Sequence, residues 1–163
     1  MTEARSAGMN HIGLTVGDID AAVQWYAKVF GLRLLDGPMV CDTTTSGADR
    51  RRDVFGERWR GMKLAHMLTA NGCGVELFQF LEPEARKPGE SFAYWRFGVH
   101  HIAFTVDDFD AALGRICDNG GRARTSVYDV HGQTFICYCE DPWGNVLEIV
   151  SRSYAELSAA TTR

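Results

Sequence analysis

The twelve residues HIGLTVGDIDAA, His11 to Ala22, return as HIAFTVDDFDAA, His101 to Ala112, with eight identical positions at a constant offset of 90. Identity that dense at a fixed spacing marks an internal repeat, and a repeat confines the chain to copies of one supersecondary unit. Each copy opens with period-two alternation, the mark of a strand, and runs into a helix start flagged by aspartates: Asp18 and Asp20, then Asp108 and Asp110. The helices, IDAAVQWYAKVF and FDAALGRICDN, stop at Gly31 and at Gly120 and Gly121, where glycine suits a left-handed cap. Strand-prone runs follow in each half: LRLLD, MKLAHMLT and GVELFQFL, then ARTSVYD, TFICYCE and NVLEIVS. The predicted class is α+β, built as two tandem βαβββ modules.

The modules fall at residues 9–82 and 98–151, after a flexible N-terminal stretch (1–8) and before a C-terminal tail (152–163). Residues 83–97, PEARKPGESFAYWRF, carry two prolines and a glycine and read as the linker. The last strand of each module also repeats, with Glu76 placed 65 positions after His11 and Glu148 47 positions after His101. The extra residues of the first copy sit most naturally in VCDTTTSGADRRRDVFGERWRG, residues 40–61. A polar insertion of that length is either a lid or a solvated loop, and Phe55 and Trp59 favour the lid.

A length of 163 residues suits one domain or two half-domains sharing a core. The net charge is −4, and the one basic cluster, Arg50 to Arg52, is offset by Asp49 and Asp53, so nucleic acid is not an expected partner. No apolar run approaches the roughly 18 residues of a membrane span, and MTEARSAGMN lacks the apolar centre of a signal peptide. The expected location is cytoplasmic, with no membrane partner. Five cysteines without CxxC spacing read as reduced thiols rather than a disulfide framework or zinc knuckle.

Strand parity decides where the histidines point. Ile12, Leu14 and Val16 must pack on a helix, which sends His11, Gly13 and Thr15 the other way. The same parity sends His101, Ala103 and Thr105 away from Ile102, Phe104 and Val106, Glu76 away from Val75 and Leu77, and Glu148 away from Leu147 and Ile149. Ionised carboxylates on an otherwise apolar sheet face are costly unless paired or bound to a cation, and two imidazoles with two carboxylates suit a divalent transition metal. A lone histidine is more often satisfied within its sheet; four matched positions in a duplicated unit outweigh that reading.

The paired βαβββ units, the two H-I-x-x-T-V openings, GVELFQFLEP and the closing EDPWGNVLEIV resemble the vicinal oxygen chelate superfamily, which includes glyoxalase, bleomycin-resistance and extradiol dioxygenase proteins. The resemblance spans about residues 9–151. It implies a cupped, half-barrel-like mixed sheet with helices outside, and metal ligands on the first and last strands of each unit, here His11, Glu76, His101 and Glu148. His100 is expected on the opposite face from His101. The His, Glu, His, Glu set is similar to that of glyoxalase I, while methylmalonyl-CoA epimerase is similar with Gln at the second position. Asp36 and Phe80 replace the arginine and asparagine that glyoxalase I of the bacterial type uses for glutathione, so that substrate is not implied.

The resemblance implies one divalent ion per site (Zn, Ni, Co, Mn or Fe), a small-molecule substrate with adjacent oxygens, and a homodimer. It implies a lyase or isomerase that stabilises an enolate during proton transfer beside a carbonyl. Glu148 is the first choice of base, with Glu76 the acid or base on the opposite side. A non-haem iron dioxygenase and a metal-free binding or resistance protein are the alternatives. Phe78, Phe80, Tyr94, Trp95, Arg96 and Trp59 are candidates for the substrate mouth. His66 and His131 are further ionisable candidates, and Cys137 and Cys139 share a strand face, where buried inert thiols are the expectation.

Overall fold

The structure, a computed structural model, describes residues 6–87, 95 and 97–160. The chain divides into two compact units: Gly31–Ala85 with the chain preceding Lys28, and Arg86 onward with Lys28–Phe30. The first unit holds β1 (His11–Thr15), α1 (Ile19–Phe30) as far as Ala27, β2 (Arg33–Asp42), α2 (Ala48–Phe55), β3 (Gly61–Leu68) and β4 (Gly74–Glu82). The second holds β5 (Ile102–Thr105), α3 (Phe109–Asp118), β6 (Arg122–Ala123), β7 (Tyr128–Val130), β8 (Thr134–Glu140), β9 (Val146–Val150) and α4 (Tyr154–Ala160).

Both sheets share one plan. The order is β1-β4-β3-β2 in the first and β5-β9-β8-β6 in the second, with β7 also on β8. In each, the opening strand lies parallel to the closing strand, and the other pairings are antiparallel. The parallel pair needs a long crossover, which the helix and the intervening strands supply. Asp18 caps α1 by accepting from the Ala21 N–H at 3.1 Å, and Gly31 closes it at φ 68. Asp108 repeats the cap on α3, accepting from the Ala111 N–H at 3.0 Å. α1 buries Ile19, Ala22, Trp25 and Tyr26, and α3 buries Phe109, Ala112 and Ile116. Each large apolar side chain so buried contributes about 1.5–3 kcal/mol.

The insertion differs from a plain loop. β2 runs on through Asp42, so residues 40–42 are strand, and residues 48–55 form α2. Between them Asp42 makes a tight turn, its Oδ1 accepting from the Thr44 N–H (2.8 Å), the Thr44 hydroxyl (2.7 Å) and the Thr45 N–H (3.1 Å). These bonds, the Thr44 hydroxyl first, hold the Asp42 carboxyl below its usual range. The C-terminal tail is also partly ordered, because Ser153 and Glu156 cap α4 reciprocally: the Ser153 N–H donates to Glu156 Oε2 (2.9 Å) and the Glu156 N–H to Ser153 Oγ (3.4 Å). Among the described residues of the joining segment, no helix or strand forms beyond a bridge between Leu81 and Glu84. No helix of the described residues is long and apolar enough to cross a membrane.

Candidate active site

In the first unit, the parallel pairing of β1 with β4 sets His11 opposite Gly74 and Gly13 opposite Glu76, and β3 sets His66 opposite Glu76. Paired residues share a sheet face, so Glu76 lies between two imidazoles. Its Oε2 is 3.4 Å from His11 Nε2 and its Oε1 is 3.3 Å from His66 Nδ1. Both separations exceed the roughly 2.7–2.9 Å of a charge-assisted hydrogen bond. Small residues make the arrangement possible. A Cβ on Gly74 would stand 2.9 Å from His11 Cβ, and one on Gly13 would stand 2.9 Å from the Phe78 ring.

His11 Nδ1 lies 2.6 Å from Asn10 Oδ1. An amide oxygen only accepts, so the ring nitrogen donates, and in the neutral imidazole the Nε2 lone pair then faces the Glu76 carboxylate. Two acceptors pointed at one another repel unless a proton or a cation lies between them. Two donors held about 2.0–2.2 Å from one transition metal stand about 3.0–3.4 Å apart at ordinary coordination angles. The donor pair therefore fits a divalent metal in both chemistry and spacing.

The second unit repeats the pattern. Ala103 and Tyr138 lie opposite Glu148, and His101 Nε2 is 3.0 Å from Glu148 Oε2. The rings of Tyr138 and His101 meet in a T-shaped arrangement, with centroids 5.1 Å apart. Glu148 is only 8% exposed, and among the described residues the basic group within ion-pair reach of it is His101. A carboxylate that buried costs free energy without a cation beside it. His101 Nδ1 meets His100 Nδ1 at 2.8 Å, so the two rings touch instead of pointing apart, because β5 starts only at Ile102 and the chain before it is not extended strand. The turn that delivers β9 is held by Asp141, whose Oδ1 accepts from the Trp143 N–H (2.9 Å) and the Asn145 N–H (2.8 Å), with Gly144 at φ 93.

Of the other expected residues, Phe78 and Phe80 share the face of Glu76 and meet the ring of Phe55 on α2, with centroids at 5.6 and 5.3 Å. Trp59 is buried at 1%, beneath this cluster, and its indole N–H has no hydrogen-bond partner among the described residues. It is therefore core rather than substrate mouth. Trp95 is 83% exposed, and Tyr94 and Arg96 lie outside the described residues. His131 sits at φ 61 between β7 and β8. Cys137 and Cys139 pair with Ile149 and Leu147, which puts them on the face opposite Glu148, fully buried. Burial, then the neighbouring Cys137, pushes the Cys139 thiol up. All five cysteines are free.

Two residues gain a place that strand parity alone did not single out. His66 and Tyr138 occupy equivalent positions, each directly across from the glutamate of its own unit. The signal was available in the repeat, since MKLAHMLT and TFICYCE are the matching strands. Between α2 and the sheet lies a cavity of about 310 Å³ whose lining includes Arg50, Arg51, Phe55, His66, Glu76 and Phe78. Among the described residues, no group of three or more His, Cys, Asp or Glu side chains is gathered closely enough to hold a metal ion; each unit offers a His and Glu pair.

The profile of the Glyoxalase/Bleomycin resistance protein/Dioxygenase superfamily matches residues 8–149. Among relatives, the chain is 27% identical over 152 residues to a 2-epi-5-epi-valiolone epimerase from an Actinomyces species, covering 90% of this chain and 80% of the relative. It is 26% identical over 151 residues to a lactoylglutathione lyase of Neisseria meningitidis serogroup A, covering 92% and 94%. Among solved structures, a glyoxalase family protein from Bacillus cereus superposes with a TM-score of 0.74 at 21% identity, covering 92% and 97%. A fosfomycin resistance protein from Listeria monocytogenes, complexed with Mn(II) and sulfate, superposes with a TM-score of 0.61 at 18% identity, covering 93% and 98%.

Proposed function

From the finding that the chain belongs to the Glyoxalase/Bleomycin resistance protein/Dioxygenase superfamily, we propose that it is a metal-dependent lyase or isomerase that moves a proton beside a carbonyl of a small substrate with two neighbouring oxygens. The observation that carries this is the matched pairing in both units, His11 Nε2 with Glu76 and His101 Nε2 with Glu148, at 3.4 and 3.0 Å. His11, Glu76, His101 and Glu148 would hold a divalent ion of the Zn, Ni, Co, Mn or Fe group, one per site. When bound, such an ion withdraws electron density from the substrate oxygens and lowers the cost of deprotonating the adjacent carbon.

The residues of the chain do the rest. Glu148, buried beside a single imidazole, is the base that takes the proton. Glu76, more open and set between two imidazoles, is the acid or base that serves the other side. Asn10 fixes the tautomer of His11, so that its Nε2 stays a donor of electrons, not of a proton. Phe55, Phe78 and Phe80 keep water from one side of Glu76. An epimerase and a lyase among the relatives support proton transfer over oxygenation. The protein acts as a cytoplasmic homodimer in this reading.

Metal analysis of the purified chain, followed by solvent-deuterium exchange into candidate hydroxycarbonyl substrates, tests the proposal. One divalent ion per site and exchange without oxygen uptake are expected. Oxygen consumption on a catechol points to the dioxygenase. Absence of stoichiometric metal, with ligand binding intact in Glu148→Gln, sinks the metal-dependent reading altogether.

A further inference from the structure

The basic cluster on α2 has no role in the proton transfer, yet it borders the cavity that contains Glu76. Arg52 pairs with Asp49 at 3.4 Å. Arg50 and Arg51 differ: among the described residues, neither has a carboxylate within ion-pair reach, and Arg51 spends one donor on the carbonyl of Ser46 at 2.6 Å. Their guanidinium groups also gather at one point. Arg51 Nη1 and Arg50 Nη2 lie 3.5 and 3.8 Å from the place a Cβ on Gly47 would occupy. Two like charges held together without a counter-ion are satisfied by an anion that reaches both, through the forked geometry guanidinium offers to carboxylates and phosphates. The start of α2, where Gly47 provides no side-chain cap, adds a field of the same sign.

The cavity between these groups and the sheet is polarised. Asp36, His66 and Glu76 lie side by side across β2, β3 and β4, the two arginines stand on α2, and Met62, Leu64, Phe55 and Phe78 form apolar wall. We infer that this cavity binds a small organic anion, a carboxylate or phosphate group on a short hydrocarbon frame, with the anionic group on Arg50 and Arg51, the carbon frame on Phe55 and Phe78, and the reacting end toward Glu76. The inference rests on the reading of Glu76 as part of the catalytic site. It makes α2 the element that selects the substrate, and it requires that a neutral analogue of the same shape bind poorly.

Calorimetric titration of the EDTA-treated full chain with 2-hydroxy-4-methylpentanoate, with its neutral amide and with 3-methylbutyl phosphate, which carries no carboxylate, reads this site in the absence of metal. The carboxylate should bind at least about tenfold more tightly than the amide. That preference should fall to within about twofold in Arg50→Gln/Arg51→Gln and persist in Arg52→Gln. Tighter binding of 3-methylbutyl phosphate than of the carboxylate assigns the site to phosphates, and the reverse order assigns it to carboxylates. Arg50→Lys/Arg51→Lys, which keeps the charges but loses the fork, should retain part of the preference and serves where the Gln pair fails to fold. Equal binding of acid and amide, no binding of either anion, or a preference that survives the double Gln substitution overturns the inference. Mn(II) titration of the same proteins keeps the two proposals apart. A chain that binds no Mn(II) but shows an arginine-dependent preference refutes the metal reading alone, whereas Mn(II) binding without that preference refutes the anion site alone.

Discussion

Replacing Gly74 with alanine tests whether His11 stands where the site requires it. The new methyl would meet His11 Cβ at 2.9 Å and the carbonyl of Asn10 at 3.5 Å. Neither atom is the free end of a long side chain, so β1 has to shift against β4 by several tenths of an ångström. Gly74 also donates its N–H to that same carbonyl at 2.8 Å, which ties the displacement to the residue that holds His11 Nδ1. Overpacking of this kind costs about 1–3 kcal/mol, or roughly 2–12 °C of melting temperature for a chain of this size. Donors must be held to within about 0.5 Å to act together, so divalent cation affinity should fall at least about tenfold. The assay is a thermal melt followed by circular dichroism in EDTA, paired with calorimetric titration of the same protein with Mn(II). A protein that loses the stability but keeps its affinity would show that His11 is not a ligand. One that loses neither would show that the contact between β1 and β4 is not as close as described.

Gly114→Ala is the natural control, because a Cβ there meets nothing within 4 Å in the middle of α3; it should raise stability by about 0.5–1 kcal/mol in the same melt and leave Mn(II) binding alone. Glu148→Gln and Glu76→Gln should each slow solvent-deuterium exchange by about 10²–10⁴, read by mass spectrometry of the substrate, and an unchanged rate in Glu148→Gln would remove it as the base. Labelling with a chromogenic thiol reagent at pH 8 should find Cys117 and Cys73 first and spare Cys41, Cys137 and Cys139 until the chain unfolds; early modification of Cys139 would contradict its burial. Glu156, its carboxyl lowered chiefly by the Ser153 hydroxyl, stabilises the start of α4 above its unfolded value near 4.5 and stops doing so as pH falls through its lower folded value. Ser153→Ala should therefore fray α4 at neutral pH to the extent that acid frays the parent, measured by amide exchange.

Much of the fold is written in the duplication. The caps at Asp18 and Asp108 and the strands bearing His11, Glu76 and Glu148, with His101 one residue ahead of β5, are legible because each rests on local chemistry stated twice. α2 was not legible, because ADRRRDVF has no apolar stripe at helical spacing; it is held by the Asp42 turn before it and by Phe55 reaching Phe78 and Phe80. The continuation of β2 past Asp36 was hidden by Gly37 and Pro38, which read as a strand end but lie within a stretch of shifted register. α4 carried a usable sign, the Ser153-x-x-Glu156 pair, on a segment too short to show periodicity. Strand parity put each histidine and glutamate on a common face. The place of His66 and Tyr138 beside the glutamates depends on the register of the last two strands of each unit, which the repeat carries but strand parity alone does not give, and the tilt of His100 toward His101 depends on where β5 begins.

The parallel pairing of first and last strands, β1 with β4 and β5 with β9, means that neither His and Glu pair exists until its whole unit has closed. Long-range contacts of this sort form late, after the entropy of closing the intervening chain has been met. A cation held by such a pair, as proposed, would therefore bind finished units and not partly folded ones. By mass action it would draw newly made chains toward completion, and loading the proposed site and proofreading the fold would then be a single event.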